Sequence, residues 1–186
     1  MDLEQEKELV ERARYSPEAF GELYDRYYDQ IFGYALRRCA NVEIAKDITS
    51  GTFLKALRNI KNYRWQGVPF SHWLYRIANH EIVNQYHKEK RIVSYELTAN
   101  ESNAALRGEL IAGESELRRH EDYLELQQYI SKLPSKYQEV ITLKYFEDMD
   151  INHIAGVLGK PEGTVKSLLH RGIERLRKMM ESRVNK

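Results

Sequence analysis

The sequence has one cysteine, four prolines and no long hydrophobic run. A single cysteine, Cys39, cannot form an internal disulfide framework or a cysteine-based zinc site, so nothing indicates secretion and we expect a cytoplasmic protein. The first residues, MDLEQEKELVERARY, are charged throughout and lack the apolar centre of a signal peptide. No later run approaches the length of a membrane span, so we expect no membrane insertion.

Neither sign of charge is in excess, because 29 Lys and Arg stand against 28 Asp and Glu, a net charge of +1. The molecule as a whole therefore has no bulk attraction to nucleic acid. Locally the charges are uneven. Residues 160–178 contain six Lys or Arg and two Glu, residues 87–91 contain three basic residues and one acid, and residues 96–116 are mostly acidic. Positive charge is concentrated at two places.

The composition is typical of a helix-rich globular protein, with 42% apolar and 31% charged residues. At 186 residues the chain can form one medium domain or two small ones. Residues 92–120 shift to Ser, Thr, Asn, Gly and scattered acids, a composition typical of a linker. We therefore predict an all-α protein of two small helical domains, residues 1–91 and 121–186, joined by a flexible linker.

Apolar spacing predicts three helices in the first domain. Ser16 followed by Pro17 is a helix-start signal, and we expect that helix to reach about Cys39. Asn41 can cap a second helix, and a third begins at Phe70 after a break at Gly67 and Pro69. Each of the three contains apolar residues at the steps of three or four that mark one helical face.

The second domain is predicted to contain four helices and to end in a helix-turn-helix. Its first two helices carry the apolar stripes Tyr123, Leu126, Ile130, Leu133 and Tyr137, Val140, Ile141, Tyr145. Asp150 is a good N-cap for a short third helix, Gly159 permits the left-handed conformation that ends it, and Pro161 can start the fourth.

In the last helix Val165, Leu169, Gly172 and Leu176 share one face, and Ser167, His170, Arg171 and Glu174 share the opposite one. A helix that exposes short polar and basic side chains fits the major groove of DNA. The alternative is an ordinary helical hairpin with a solvated basic face. The pattern favours DNA binding over that alternative.

Four blocks of sequence, in order, resemble the extracytoplasmic-function (ECF) sigma factors of the sigma-70 family. The C-terminal, promoter-binding domain of that family resembles the stretch LPSKYQEVITLKYFEDMDINHIAGVLGKPEGTVKSLLHRGIERLR. EAFGELYDRYYDQIFGYALRR, AKDITSGTFLKAL and FSHWLYRIAN resemble the conserved blocks of its first domain. Together the blocks cover residues 17–91 and 121–178.

The resemblance implies a bacterial initiation factor that docks on core RNA polymerase, directs it to promoters and helps to melt DNA. One domain would bind the minus-10 promoter element and the other the minus-35 element. Such a protein has no catalytic chemistry of its own, so we expect no enzyme activity and no cofactor. Members of the family commonly have an anti-sigma factor as a partner, and the resemblance implies one here.

By resemblance, residues 45–57 meet the clamp region of the largest polymerase subunit. The residues that inherit this contact are Asp47, Ile48, Thr49, Phe53 and Leu54, although packing in the domain core is the favoured role for Phe53. The sequence departs from the family at Ser50 and Gly51, where Gln and Glu are usual. These two changes remove long side chains from the polymerase-binding surface.

The segment KNYRWQGVPF, residues 61–70, matches the loop that captures a flipped base of the minus-10 element in the family. Aromatic side chains can stack on such a base and basic ones can hold phosphates. The alternative for Trp65 and Trp73 is core packing, which is favoured for Trp73. The departure at His80 suggests a different minus-10 preference. The residues expected to bind this element are Lys61, Tyr63, Arg64, Trp65, Arg76, His80, Asn84, His87 and Lys88.

The family pattern GTVKSRLHRA becomes GTVKSLLHRG here, with Leu168 in place of Arg and Gly172 in place of Ala. Leu168 either packs on the preceding helix or contacts a thymine methyl group, and the sequence leaves both open. The residues expected to bind the minus-35 element are Lys160, Glu162, Thr164, Lys166, Ser167, Leu168, His170 and Arg171.

Two other functions compete with this one. A transcriptional regulator can contain a similar helix-turn-helix, but its N-terminal half would be a sensor, and no strands are predicted there. A nucleic-acid enzyme would need a metal or phosphate site. The six histidines are scattered, none belongs to a His-Glu-x-x-His motif, and no Gly-rich phosphate loop occurs. Metal binding is not indicated.

Overall fold

A computed structural model describes residues 1–93 and 125–184, with side chains for residues 1–86 and 125–182. These residues form eight α-helices and no strand, which confirms the all-α prediction. The predicted linker lies outside the described residues, except for its first two residues, which belong to the fourth helix. No helix in the described part of the chain is long and apolar enough to cross a membrane.

The N-terminal domain contains α1 (Leu3–Ala13), α2 (Pro17–Cys39), α3 (Val42–Asn59) and α4 (Phe70–Val93). A 3-10 turn, Ile60–Asn62, follows α3. The predicted caps are confirmed: Ser16 Oγ accepts from the Ala19 N–H at 3.1 Å, and Asn41 Oδ1 accepts from the Ile44 N–H at 3.0 Å. The core includes the fully buried side chains Leu23, Ile31, Tyr34, Phe70, Leu74, Tyr75 and Ile82.

Helix α1 is the element that the apolar pattern did not predict. Asp2 caps it by accepting from the N–H groups of Glu4 and Gln5, and the Gln5 side chain accepts from the Asp2 N–H in return. Leu9 and Val10 bury its inner face. The capping box was the sequence signal for this helix.

The C-terminal domain is described from residue 125. Helix α5 occupies residues 125–132, followed by α6 (Ser135–Tyr145), α7 (Ile151–Leu158) and α8 (Glu162–Val184). Gln138 holds the α5–α6 junction, since its Nε2 donates to the carbonyls of Ser131 and Leu133 at 2.9 and 2.8 Å. Gly159 ends α7 with φ 62°, as predicted.

Two details of the second domain differ from the sequence predictions. Tyr145 ends its helix 60% exposed, so it is not part of the buried stripe. Asp150 occupies the N-cap of α7, but its side chain makes no capping hydrogen bond. Tyr123 lies outside the described residues. The helix-turn-helix itself, α7 and α8 around residues 159–161, is confirmed.

The two domains contact each other through two polar clusters. In the first, Glu147 of the C-terminal domain accepts from both Arg37 and Tyr75 of the N-terminal domain, and its side chain is only 4% exposed. In the second, Arg38 is fully buried and donates to Tyr34, Asn79 and, at 2.7 Å across the interface, Ser135. We call these two clusters the interdomain clasp.

Candidate nucleic-acid interface

The outward face of α8 has the exposure that the sequence predicts. Val165 and Leu169 are buried, which fixes the helix against its domain. Lys166, Ser167, His170 and Arg171 are exposed, with Glu162 and Thr164 at the start of the helix. Arg171 folds back along the helix, where its Nε donates to the Ser167 carbonyl at 3.1 Å. An exposed guanidinium held in this way can be redirected to DNA with little loss of free energy.

Two residues predicted for this face are placed differently. Leu168 is 5% exposed and belongs to the core, so the structure supports the packing alternative over contact with a thymine methyl. Lys160 is part of an ion pair with Glu139 at 3.4 Å, and the Glu139 side chain is 6% exposed. Lys160 therefore compensates a buried carboxylate within its own domain.

A second exposed polar face lies along α4. Arg76, His80 and Asn84 follow one another at intervals of four residues and are all exposed. That spacing places them on one side of the helix. The side chains of His87 and Lys88, also predicted to contact the minus-10 element, lie outside the described residues.

The 61–70 segment divides its aromatic residues between surface and core. Lys61 and Arg64 are exposed, and Trp65 is half-buried against the core. Tyr63 is only 7% exposed and packs at 4.7 Å from Trp73 and 5.4 Å from Phe70, measured between ring centroids. Burial raises the pKa of Tyr63 to about 12. Trp65 is thus better placed than Tyr63 to stack on a base, and Trp73 packs against the core as expected.

A pocket of about 350 Å³ opens beside this segment, between α3 and α4. Its walls include Asn59, Asn62, Tyr63, Trp73 and His80. Two aromatic rings and several hydrogen-bonding side chains can accommodate a planar heterocycle. The pocket therefore lies between the 61–70 segment and the exposed face of α4, and residues of both line it.

A second pocket, of about 190 Å³, lies where the two domains meet. His72 and Arg76 of α4 line it opposite Asn152 and His153 of α7. The His72 and His153 rings are 4.8 Å apart between centroids. Burial, with a smaller effect of His153, lowers the pKa of His72 to about 4, so His72 is neutral near pH 7.

The surface of α3 contains fewer of the predicted polymerase contacts than expected. Asp47 and Leu54 are exposed. Ile48, Thr49 and Phe53 are buried, and the Thr49 hydroxyl donates to the Ala45 carbonyl at 2.7 Å. These three residues pack beneath the surface of α3 and support it, and they are not exposed to a partner. Phe53 is in the core, as favoured.

One further candidate on α3 was missed by the sequence argument. Leu57 is 46% exposed, close to the 48% of Leu54, and the two are three positions apart in the sequence. They are neighbours on one face and form a small apolar patch. The signal was present in the repetition of leucine at helical spacing.

Buried tyrosines pair with carboxylates at two other places. Tyr27 donates to Glu6 within the N-terminal domain, and Tyr75 donates to Glu147 across the interface. Burial and the neighbouring carboxylate raise the pKa of both phenols. Among the described residues, no group of three or more His, Cys, Asp or Glu is placed to hold a metal ion.

Comparison with known proteins gives two family matches. The family described as Sigma-70 region 2 matches residues 23–92, and Sigma-70, region 4 matches residues 123–176. The chain is 34% identical over 180 residues to the ECF RNA polymerase sigma factor BldN of Streptomyces coelicolor, covering 93% of this chain and 65% of BldN. It is 33% identical over 187 residues to the ECF sigma factor SigW of Bacillus subtilis, covering 97% of this chain and 98% of SigW.

Two solved structures share the fold. CnrH, solved in complex with the cytosolic domain of CnrY, has a TM-score of 0.68 at 21% identity and is matched over 95% of this chain and 97% of CnrH. RpoE of Bartonella quintana, solved with the anti-sigma factor NepR, has a TM-score of 0.71 at 19% identity, over 87% of this chain and 96% of RpoE.

Proposed function

Because the chain belongs to the ECF sigma factors of the sigma-70 family, we propose that it directs core RNA polymerase to specific promoters and promotes DNA melting at initiation. The observation that carries the proposal is the presence of both regions in order, with 33% identity across 98% of SigW. The chain acts as an initiation factor in the cytoplasm and performs no catalysis itself.

The two exposed polar faces have separate roles in this proposal. The face of α4 with Arg76, His80 and Asn84, together with the 61–70 segment, binds the minus-10 element. The face of α8 with Lys166, Ser167, His170 and Arg171 binds the minus-35 element. The apolar patch of Leu54 and Leu57, beside Asp47, docks on the clamp of the largest polymerase subunit.

An anti-sigma factor is the proposed negative regulator. CnrH and RpoE, which share this fold, were each solved with a partner protein, and NepR is named as an anti-sigma factor. A partner of this class would compete with core polymerase for the chain. The Leu54 and Leu57 patch is a surface at which both could compete.

Run-off transcription tests the main proposal. Core polymerase free of other sigma factors is supplied with this chain and with promoter fragments selected by the holoenzyme. We expect a transcript with a defined start that depends on the chain. A regulator would give no transcript until another sigma factor is added, and that result would overturn the proposal.

Trp65→Ala tests the minus-10 assignment. Stacking of an extruded base contributes about 1–3 kcal/mol and exists only after melting. We therefore expect normal binding of duplex promoter and reduced permanganate reactivity of the promoter thymines. Tyr63→Ala serves as a contrast, because loss of a buried ring should lower the thermal stability of the N-terminal domain. If promoter melting by Trp65→Ala is unchanged, Trp65 does not take part in binding the minus-10 element.

A further inference from the structure

Helix α1 contacts the 61–70 segment at both of its ends. At the C-terminal end of the helix, an Arg14 guanidinium nitrogen donates to the Lys61 carbonyl at 2.9 Å. Near its N-terminal end, Glu6 Oε1 accepts from the backbone N–H of Phe70 at 2.7 Å. The helix and its C-cap residue therefore bind the last and the first residue of the segment.

Glu6 is an unusual residue for the inner face of a helix. It is 5% exposed and lies with Leu9 and Val10 on the side that packs into the domain. A buried carboxylate is costly unless hydrogen bonds compensate it. The two that do so come from the Tyr27 hydroxyl and the Phe70 N–H, both to the same oxygen.

The bond to Phe70 caps a helix. Phe70 is the first residue of α4, and the first N–H groups of a helix have no partner within it. The preceding residue, Pro69, has no side-chain acceptor to cap them. A carboxylate at this end also interacts favourably with the helix dipole. Glu6 thus supplies, from another element, the cap that the local sequence lacks.

Arg14 fixes the other end of the segment. Its second guanidinium nitrogen pairs with Glu11 on α1 at 2.7 Å, which orients the group toward Lys61. Lys61 belongs to the 3-10 turn that leads into the segment. The eight residues between Lys61 and Phe70 are therefore held between two anchors, one on α1 and one at its C-cap.

We propose that Glu6 and Arg14 are positioning residues for the minus-10 element: they hold the 61–70 segment in the conformation that receives the extruded base. This inference rests on the proposed function. Fixing the ends of a loop before binding reduces the conformational entropy that the complex would otherwise lose. Neither residue needs to touch DNA for this effect.

The decisive variant is Arg14→Ala, with Arg12→Ala as its matched control. Arg12 is in the last turn of α1, Arg14 is the C-cap of the same helix, and both form ion pairs, but Arg12 pairs with Glu22, away from the segment. Holoenzyme containing each variant is titrated with a single-stranded oligonucleotide of the non-template minus-10 sequence. Loss of one hydrogen bond predicts about three- to tenfold weaker binding for Arg14→Ala. Arg12→Ala should bind as the natural chain does.

Glu6→Gln and Tyr27→Phe form a second pair. The first weakens the acceptor for Phe70, while the second removes the other bond of Glu6 and leaves the cap in place. We expect weaker oligonucleotide binding for Glu6→Gln only. Affinity for core polymerase should be unchanged in all four variants, which separates positioning from a general loss of folding. Equal oligonucleotide binding by Arg14→Ala and Arg12→Ala, or a parallel loss of polymerase affinity, would overturn the inference.

Amide hydrogen exchange of the free chain provides a readout that does not involve DNA. Arg14→Ala and Glu6→Gln should raise exchange within the 61–70 segment and at the first turn of α4, relative to their controls. If the natural holoenzyme does not bind the oligonucleotide, the proposed function fails, whereas the anchoring of the segment is still decided by exchange. Unchanged exchange in both variants would refute the anchoring itself.

Discussion

Gly51 and Gly172 are both glycines inside long helices, and the space beside each of them differs. A Cβ atom at Gly51 would lie 3.0 Å from a carboxylate oxygen of Glu81, the mobile end of a side chain that pairs with Lys55. A Cβ atom at Gly172 would lie 3.0 Å from Ile141 Cδ1 and 3.2 Å from Tyr137 Cβ, within the core. The Glu81 carboxylate can move aside, whereas Ile141 and Tyr137 are packed in the core and cannot.

The same substitution should therefore have opposite effects at the two positions. Gly51→Ala is expected to stabilise the N-terminal domain by about 0.5–1 kcal/mol, because alanine favours the helix and Glu81 can shift. Gly172→Ala is expected to lose about 1–2 kcal/mol, since overpacking of about 1–3 kcal/mol exceeds the helical gain. Urea unfolding measures both, with tryptophan fluorescence reporting the first domain, which contains Trp65 and Trp73. Destabilisation by Gly51→Ala would mean that Glu81 is held rigidly.

At the scale of the element, we expect α8 to contact bases in the middle of its exposed face and phosphates toward its end. Arg171 lies in the middle of the exposed face, about one turn beyond Ser167, where a recognition helix reaches base edges. Arg171→Ala should cost about 1–3 kcal/mol and relax the preference at one position of the minus-35 element. The measurement is holoenzyme affinity for promoters with single-base changes.

Lys178→Ala is the contrasting variant. Lys178 is exposed further along α8, toward its C-terminal end. Loss of a phosphate contact there should weaken binding evenly across sequences and reduce the salt slope by about one. Lys160→Ala is a poorer choice, because it would also leave the buried Glu139 without its cation. If Arg171→Ala weakens all sequences equally, Arg171 binds phosphate and base readout passes to Lys166, Ser167 or His170.

The elements themselves were largely predictable from the sequence, and their long-range contacts were not. Ser16, Asn41 and Gly159 act within a few residues, so helix boundaries could be inferred from them. Arg38 is fully buried although arginine is rarely so, because partners from two other helices reach it. Leu168 remained ambiguous for the same reason: periodicity places it one step from the buried stripe, and only its burial in the folded core decides between the two alternatives.

At the scale of the whole molecule, the domains contact each other more closely than the proposed binding of one promoter element by each domain allows. The names of the minus-35 and minus-10 elements place them about 25 base pairs apart along the promoter, which is about 85 Å at 3.4 Å per base pair. A chain of 186 residues folded as one compact body has a radius of gyration of about 16 Å. Helix α7 also lies against His72 and Arg76 of α4, at the edge of the α4 face that is proposed to bind the minus-10 element. Under the proposed assignment, the domains must therefore separate before both elements are bound.

Tyr75→Phe tests this requirement by weakening the interdomain clasp, with Tyr27→Phe as the matched control. Both tyrosines are buried and both donate to a carboxylate, but the acceptor of Tyr27 is Glu6 in the same domain, whereas Tyr75 reaches Glu147 in the other. A hydrogen bond to a charged group contributes about 1.5–3 kcal/mol, so Tyr75→Phe should shift the equilibrium toward separated domains by that amount.

Small-angle X-ray scattering of the free chain should then show a larger radius of gyration for Tyr75→Phe. Its apparent affinity for core polymerase should also rise, because a binding-competent state is more populated. Tyr27→Phe should change neither quantity. If both Tyr75→Phe and Glu147→Gln leave the radius of gyration unchanged, the interdomain clasp does not hold the domains together in solution.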